Sequence, residues 1–268
     1  MEVIDSQVHA NQRGIDQSIA IMDAVGVDGA VIDVWSPVRT KLPSGVYRFE
    51  YAFAQEAVAR FPKRFAYIAR FDPNDPEVDD LMAQVRKEPG RLCIRIASGF
   101  DMKAMREGAH ERILSAAGKH GVPVMIYPGG EHPAATAYVR KFDTVQFIID
   151  HCGMGVERAK LPDQLESTIE QLLAYAQYPN VAVKWGHAPR LSRERFPYRD
   201  LIGVLPRIID AFGPKRLMWA SDYTVTVDHH TYAESLFCLR GADQLSETDK
   251  EWLLGKTARE VLGWPRPA

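Results

Sequence analysis

The chain has 268 residues, of which 46% are hydrophobic, and a formal net charge of −2. Such a chain can bury one large core, and its length suits a single barrel domain over residues 1–268. The small net charge argues against nucleic acid as a partner, and no apolar run is long enough to cross a membrane. Three widely spaced cysteines without a CxxC motif predict reduced thiols in a cytoplasmic protein. The expected partner is a small-molecule substrate. The sequence leaves open whether the chain forms a homo-oligomer.

Strand-like and helix-like segments alternate along the whole chain, which favours a parallel sheet. Eight such units predict the α/β class and a (β/α)8 TIM barrel, since a doubly wound sheet would need a glycine fingerprint that is missing after the first strand. The predicted strands are 2–10, 29–34, 64–71, 92–97, 123–127, 145–150, 181–185 and 216–220. The predicted helices are 16–25, 51–60, 77–87, 105–120, 133–142, 163–177 and 198–212, with 230–239 and 247–262 in the C-terminal tail.

The first predicted strand, EVIDSQVHA, ends in polar residues. Asp5, Gln7 and His9 are two positions apart, and the period of a strand places them on one face. Branched apolar side chains usually fill the centre of such a barrel. Three polar residues in a row on one face therefore predict a strand that runs into a site, with His9 at its mouth.

Polar residues also follow the other predicted strands, and active sites of (β/α)8 barrels lie at these C-terminal strand ends. Imidazoles can bind a divalent metal or transfer protons, and an opposing carboxylate can hold the metal or accept a proton from water. The candidates, in chain order, are Gln7, His9, Arg70, Asp72, Arg95, Tyr127, His151, Lys184, His187 and Asp222.

Some polar residues near these strand ends have structural interpretations. Lys184 could be a core residue that reaches towards water, and Arg70 could pair with Asp72 or Glu50; both alternatives stay open. Contacts with backbone groups or a helix-entry turn are expected for Asp5, Asp72, Asn74, Asp75 and Asp150.

Several motifs resemble those of a known family. DSQVH at strand 1, IIDHCG at strand 6, WASDY at strand 8 and LLGKTAREVLGW in the tail resemble the amidohydrolase superfamily. The nearest branch is the amidohydrolase-2 group, which includes lactone hydrolases and some decarboxylases. FDPNDP after strand 3 fits the same branch, so the resemblance covers nearly the whole chain. It implies a barrel enzyme of hydrolase type.

The metal-binding pattern of that family is incomplete here. Metal-dependent members usually have HxH after strand 1, where this chain has Gln7 and His9, and Tyr127 replaces the usual strand-5 histidine. An amide is a poor zinc ligand, so His9, His151 and Asp222 would hold a single Zn²⁺ or none. His132, in the loop after strand 5, is an alternative ligand. Some lactone-hydrolysing relatives work without a metal and use the strand-8 aspartate as the base, a role that the resemblance gives to Asp222.

The predicted activity is hydrolysis of a small, carboxylate-bearing lactone or related ester. Asp222 would accept a proton from the attacking water, while His9 and His151 orient the water or polarise the carbonyl. Arg95 would bind the substrate carboxylate, because guanidinium and carboxylate pair bidentately. Two alternatives remain: a metal-dependent, non-oxidative decarboxylase of an aromatic or unsaturated acid, and a barrel that binds a ligand without catalysis. The further residues predicted to contact the substrate are Gln7, Trp35, Arg70, Tyr127, Lys184 and His187.

Overall fold

A parallel sheet of eight strands forms the barrel in the computed structural model, which describes residues 1–96 and 102–266. Each strand pairs with the next in chain order, as expected for strand–helix repeats, and the predicted (β/α)8 fold is confirmed. An antiparallel hairpin, β3 (Arg39–Lys41) and β4 (Tyr47–Phe49), lies in the predicted loop after β2. The barrel strands are β1 (Ile4–Val8), β2 (Gly29–Ile32), β5 (Phe65–Ala69), β6 (Arg91–Ile96), β7 (Val124–Ile126), β8 (Phe147–Ile149), β9 (Val181–Trp185) and β10 (Leu217–Trp219).

The helices cover the outside of the barrel; predicted helices 105–120 and 198–212 are divided, whereas 247–262 continues through a π-helical turn at Trp252–Lys256. Gly108, with a φ of +76°, follows the first piece of predicted helix 105–120, and the second piece of 198–212 begins at Leu205 with Pro206 in its first turn, where a missing N–H breaks no helical hydrogen bond. Part of predicted strand 92–97 and the loop at 98–101 lie outside the described residues. The helices are α1 (Ile15–Val25), α2 (Ala52–Arg60), α3 (Val78–Val85), α4 (Met102–Arg106), α5 (Glu111–His120), α6 (His132–Lys141), α7 (Leu165–Leu173), α8 (Arg199–Ile202), α9 (Leu205–Phe212), α10 (Tyr232–Arg240), α11 (Glu247–Glu251) and α12 (Thr257–Leu262).

Two general expectations can be compared with the described part of the chain. None of the helices there has the length and apolar character needed to cross a bilayer. Cys93, Cys152 and Cys238 are buried free thiols rather than disulfides.

The interior of the barrel changes from apolar to charged along the strands. One apolar layer contains Ile4, Val31, Ile68, Cys93, Met125, Ile148, Ala182 and Met218, and Ala258, Leu262 and Trp264 at the C-terminal end of the chain pack against it. Successive side chains of a strand alternate between faces, so residues two positions further on point into the same interior. Those residues form a polar layer of Asp33, Arg70, Arg95, Tyr127, Asp150 and Lys184. This polar layer lies at the C-terminal strand ends, next to the apolar layer.

Strand β1 departs from the strict alternation that the sequence suggested. Its pairing with β2 shifts register between Asp5 and Val8, so Ile4 packs in the apolar layer while Gln7 contacts Lys184 of the polar layer. Asp5 points elsewhere and accepts hydrogen bonds from the backbone N–H groups of Gln7 and Ser221, as expected for a structural aspartate. Asp5, Gln7 and His9 therefore do not form one row facing the site.

Candidate active site

A cleft opens at the C-terminal end of the barrel, and the empty space in it, counted together with the open solvent at its mouth, is about 590 Å³. Its polar wall consists of side chains from five strand ends, which meet although they are far apart in the chain. Its other wall is apolar. The polar lining residues are His9, Arg95, His151, His187 and Asp222, and the others are Trp35, Tyr127, Met154, Gly155, Val156, Leu161 and Val225.

His9 and Asp222 form a hydrogen-bonded pair in the polar wall. The Nε2 atom of His9 lies 3.0 Å from Asp222 Oδ1, and its Nδ1 atom lies 2.7 Å from the backbone carbonyl oxygen of Asp33. A carbonyl only accepts hydrogen bonds, so Nδ1 carries a hydrogen, and a proton must also lie between Nε2 and the carboxylate. Burial opposes the charge on His9, but Asp222 outweighs it and raises the pKa of His9 above its usual value. The pair is best described as imidazolium and carboxylate.

Two further imidazoles approach the other oxygen of Asp222. His187 Nε2 is in direct contact with Oδ2, and His151 Nε2 lies 3.7 Å from the same atom. All three residues follow strand ends with positive φ values of 50° for His151, 55° for His187 and 58° for Asp222. Residues other than glycine rarely adopt this conformation, and where they do, the site around them often has a function.

Burial and charge set the protonation of this group. Burial lowers the pKa of His151 and lowers that of His187 still further, so both imidazoles stay neutral at neutral pH. Burial alone would raise the pKa of Asp222, but the positive charges that His187, His151 and His9 carry when protonated, with the hydrogen bond from His9, hold it well below its ordinary value. Asp222 is therefore ionised at neutral pH, which is the protonation state that a general base requires.

Arg95 forms the floor of the cleft and is held from below by two buried carboxylates. Its Nε donates to Asp150 Oδ2 at 2.5 Å, and its Nη1 donates to Asp33 Oδ2 at 2.7 Å. Its Nη2 lies 2.9 Å from His151 Nε2, so the imidazole accepts a hydrogen bond from the guanidinium there. The guanidinium is thus fixed in position before any substrate binds.

The structure places three of the residues predicted to contact substrate outside the lining of this cleft. Lys184 is 0% exposed, and its ammonium group lies 2.6 Å from Asp150 and 2.7 Å from Gln7 Oε1, so it does not reach towards water. Gln7 also donates to Asp33 at 3.1 Å. Arg70 pairs with Asp33 at 2.5 Å, not with Asp72 or Glu50. Gln7, Arg70 and Lys184 therefore support the cleft from beneath or beside it.

The aromatic candidates do line the cleft. Trp35 stands edge-on to the ring of His9 with centroids 5.2 Å apart, and Tyr127 stands edge-on to His151 at 5.0 Å. The Tyr127 hydroxyl donates to the backbone oxygen of Gly155 at 3.2 Å. His132, considered as an alternative ligand, instead packs against Tyr175, its Nδ1 atom 3.2 Å from the tyrosine hydroxyl.

Sequence reasoning missed Asp33 and misjudged Asp150. Asp150, expected to bind backbone groups, instead lies between Arg95 and Lys184, and these cations, despite burial, hold its pKa well below the ordinary value. Asp33 joins Arg70, Arg95 and Gln7, and its backbone oxygen orients His9. The signal for Asp33 is its position two residues after the interior residue Val31. Asp72, in contrast, accepts from the backbone N–H groups of Tyr47 and Asn74, as a turn residue does.

Among the described residues, His151, His187 and Asp222 bring ligand atoms within 4.8 Å of one another, so His187 takes the place that the sequence suggested for His9. Two imidazoles and one carboxylate are a donor set that zinc uses in enzymes. However, the lone pair of His151 Nε2 that would bind the ion already accepts a hydrogen bond from the Arg95 cation. The residues in this arrangement do not fit a divalent metal.

Comparisons with known proteins agree with this architecture. A crystal structure of a zinc-bound amidohydrolase from Burkholderia multivorans has 20% sequence identity and a TM-score of 0.80, covering 99% of this chain and 100% of that one. A structure described as a probable 2-pyrone-4,6-dicarboxylic acid hydrolase from Acinetobacter baumannii, with citric acid bound, has 16% identity and a TM-score of 0.72, covering 98% and 100%. A 5-carboxyvanillate decarboxylase from Novosphingobium aromaticivorans, complexed with manganese and a nitrobenzoic acid, has 18% identity and a TM-score of 0.64, covering 92% and 79%.

At these identities the solved structures show a shared fold. None of the curated proteins compared with the chain matches it. The family model described as amidohydrolase matches residues 4–264, which is nearly the whole sequence. The chain therefore belongs to the amidohydrolase-2 family.

Proposed function

We propose that this protein hydrolyses a small, carboxylate-bearing lactone or related ester, with Asp222 as the general base. The observation that supports this most directly is the state of Asp222, which is 1% exposed, ionised, and in the wall of a cleft. His9 holds one of its oxygens and leaves the other beside two neutral imidazoles. A base fixed in this way needs little rearrangement to accept a proton from bound water.

The reaction then follows in two steps. Water attacks the carbonyl carbon as Asp222 accepts its proton, and the carbonyl oxygen becomes an oxyanion that the Arg95 guanidinium stabilises. The oxyanion then re-forms the carbonyl as the bond to the ring oxygen breaks. The proton held by Asp222 passes to that leaving oxygen, which returns the base to its ionised form. His9 remains hydrogen-bonded to Asp222 throughout and keeps it oriented.

The charges around the cleft support an anionic substrate. Among the described residues of this group, Arg70, Arg95 and Lys184 carry three positive charges, and Asp33, Asp150 and Asp222 carry three negative ones. The protonated imidazole of His9 adds one positive charge. An unpaired positive charge is unfavourable in a buried site, and a single carboxylate on the substrate would neutralise it.

The apolar wall supports a ring with few hydroxyl groups. The side chains of Leu161 and Val225 offer no hydrogen-bonding partner to the many hydroxyls of a sugar lactone, and Trp35 and Met154 offer only one indole N–H and a weakly accepting sulfur. An unsaturated lactone can lie against this wall and direct its carbonyl and carboxylate to the polar side. The neighbour described as a probable pyrone dicarboxylic acid hydrolase supports the same class of substrate.

Decarboxylation of an aromatic acid is the second candidate, supported by the decarboxylase among the structural neighbours. That protein is described with manganese. In this chain, the guanidinium of Arg95 donates a hydrogen bond to the imidazole nitrogen of His151 that a metal would need. This contact favours hydrolysis over a metal-dependent decarboxylation.

Mass spectrometry of the products tests the proposal. The purified chain is incubated with a panel of unsaturated lactones that carry a carboxylate, and in parallel with sugar lactones. We expect ring-opened products that have gained one water, formed only from the unsaturated lactones. Loss of carbon dioxide from the substrate would establish the decarboxylase instead. Binding without turnover of any lactone or ester in the panel would overturn the hydrolase proposal.

A further inference from the structure

We infer that the guanidinium of Arg95 stands in place of a metal ion in this cleft and prevents His151, His187 and Asp222 from binding one. Two of the ligand types that zinc prefers converge here, so the lack of fit does not come from missing ligands. The lack of fit comes from the permanent charge of Arg95, which lies against one of these ligands, His151. This inference concerns the chemistry of the cleft and holds whichever substrate the protein takes.

The first support is the contact between Arg95 and His151. Nη2 lies 2.9 Å from His151 Nε2, whereas Asp222 Oδ2 is 3.7 Å from the same nitrogen. A histidine ligand binds a metal through the lone pair of a neutral ring nitrogen. The lone pair of Nε2 accepts a hydrogen bond from the N–H of Arg95. An ion could therefore bind His151 at this nitrogen only after the guanidinium moves away.

The second support is that Arg95 has no freedom to move away. Asp150 holds Nε at 2.5 Å and Asp33 holds Nη1 at 2.7 Å, and both carboxylates are completely buried. Withdrawal of the guanidinium would leave two buried carboxylates without one of their cationic partners. Arg95 also starts from a fixed point, since it lies within strand β6 between Ile94 and Ile96, which pair with β7.

The third support is the charge of the surrounding group. Asp33 and Asp150 are already shared by Arg70, Arg95 and Lys184, so they offer no excess negative charge to a divalent ion. An ion beside His151 would add two positive charges next to a guanidinium that cannot lose its proton. Arg95 thus supplies one fixed positive charge at the place where a metal enzyme of this fold would supply two.

Metal binding without substrate tests the inference. Wild-type protein treated with a chelator is titrated with Zn²⁺ by calorimetry and with Co²⁺ by visible absorption, which reports ligand number and geometry. We expect no stoichiometric site. Arg95→Met keeps an unbranched stem but removes the guanidinium, its charge and its hydrogen bond to His151, and it should bind one ion at least about 10- to 100-fold more tightly. Adding His187→Gln to that variant should abolish the gain.

Arg60→Met is the matched control, because Arg60 is an exposed arginine of helix α2 and should leave metal binding unchanged. Arg95→Gln, which is uncharged but still donates hydrogen bonds to the carboxylates, serves if Arg95→Met does not fold. Stoichiometric binding by the wild-type chain that is lost in His187→Gln would overturn the inference. So would a folded Arg95 variant that binds no better than wild type. Neither result depends on whether a lactone is hydrolysed.

Discussion

The Nε2 atom of His9 lies 3.0 Å from Asp222 Oδ1, although 213 positions separate the two residues in the chain. They meet because the barrel closes between its first and last strands. The Ser6 hydroxyl donates to the Trp219 carbonyl at 2.6 Å, and the Asp222 N–H donates to the Gln7 carbonyl at 3.0 Å. The pair at the centre of the proposed mechanism is therefore held by the same contacts that close the barrel.

Removal of the proposed base should abolish most of the activity. Asp222→Asn keeps the size of the side chain and can still hydrogen-bond to His9, but an amide cannot accept a proton from water. We expect kcat to fall by about 10²- to 10⁴-fold with a small change in KM. The control is Asp210→Asn on the exposed side of α9, which should behave as wild type. Unchanged turnover by Asp222→Asn would eliminate the base role.

The pH dependence of kcat/KM should show a plateau that includes pH 6.5. Asp222 has a pKa well below 3.8, and those of His151 and His187 lie below 6.5, so the acid limb falls below pH 6.5. The pKa of His9 lies above 6.5, so loss of its proton produces an alkaline limb above that pH.

A substitution separates the two limbs. His9→Gln places a donor that does not titrate beside Asp222, and the alkaline limb should disappear while the acid limb stays. Profiles recorded in several buffers at constant ionic strength would check this. An alkaline limb of the same midpoint in His9→Gln would assign it to another group.

The buried pair of Lys184 and Asp150 should be strongly coupled. Lys184→Met leaves Asp150 with Arg95 alone, and Asp150→Asn leaves the Lys184 ammonium without a carboxylate. We expect each single variant to lower the free energy of unfolding by about 3–5 kcal/mol, and the double variant to lower it by less than the sum. Urea denaturation of all four proteins measures the coupling. Additive effects would contradict a direct ion pair.

A surface lysine provides the comparison. Lys119 pairs with Asp79 at 2.7 Å, but both side chains are largely in water. Lys119→Met should leave the unfolding midpoint within experimental error, because solvent screens exposed ion pairs. If Lys119→Met lost as much stability as Lys184→Met, burial would not be the reason for the large effect expected at Lys184.

Asp5 should make the protein less stable as the pH rises through the weakly acidic range. Burial raises the pKa of Asp5 from 3.8 to about 6, so between these values the folded state holds a proton that the unfolded state has released. Stability therefore falls as the pH increases through this window. Asn does not titrate, so the stability of wild type relative to Asp5→Asn should decrease by about 2 kcal/mol between about pH 4 and 7. Urea titrations of both proteins at several pH values in this range measure the difference in their free energies of unfolding. A difference that does not change with pH would contradict the raised pKa of Asp5.

Local patterns in the sequence were sufficient to predict the barrel and most of the residues in its mouth. The alternation of strands and helices predicts the fold, and their places at the ends of predicted strands make Arg95, Lys184 and Asp222 candidates for the site. His9, His151 and His187 follow directly from their positions at strand ends. These inferences need only the geometry of one strand and the rule that strand ends share a site.

The partners of those side chains were decided by the tertiary structure. That Arg95 binds a substrate carboxylate stays a prediction, and its contacts with Asp33 and Asp150 follow from the packing of β2, β6 and β8. Likewise a register shift in β1 turns Gln7 beneath the cleft, and the pairing of β8 with β9 brings His187 beside His151. The spacing of residues along one strand determines which face a side chain occupies. Which charge it meets there depends on the twist, register and closure of the whole barrel, and these arise from contacts between residues far apart in the sequence.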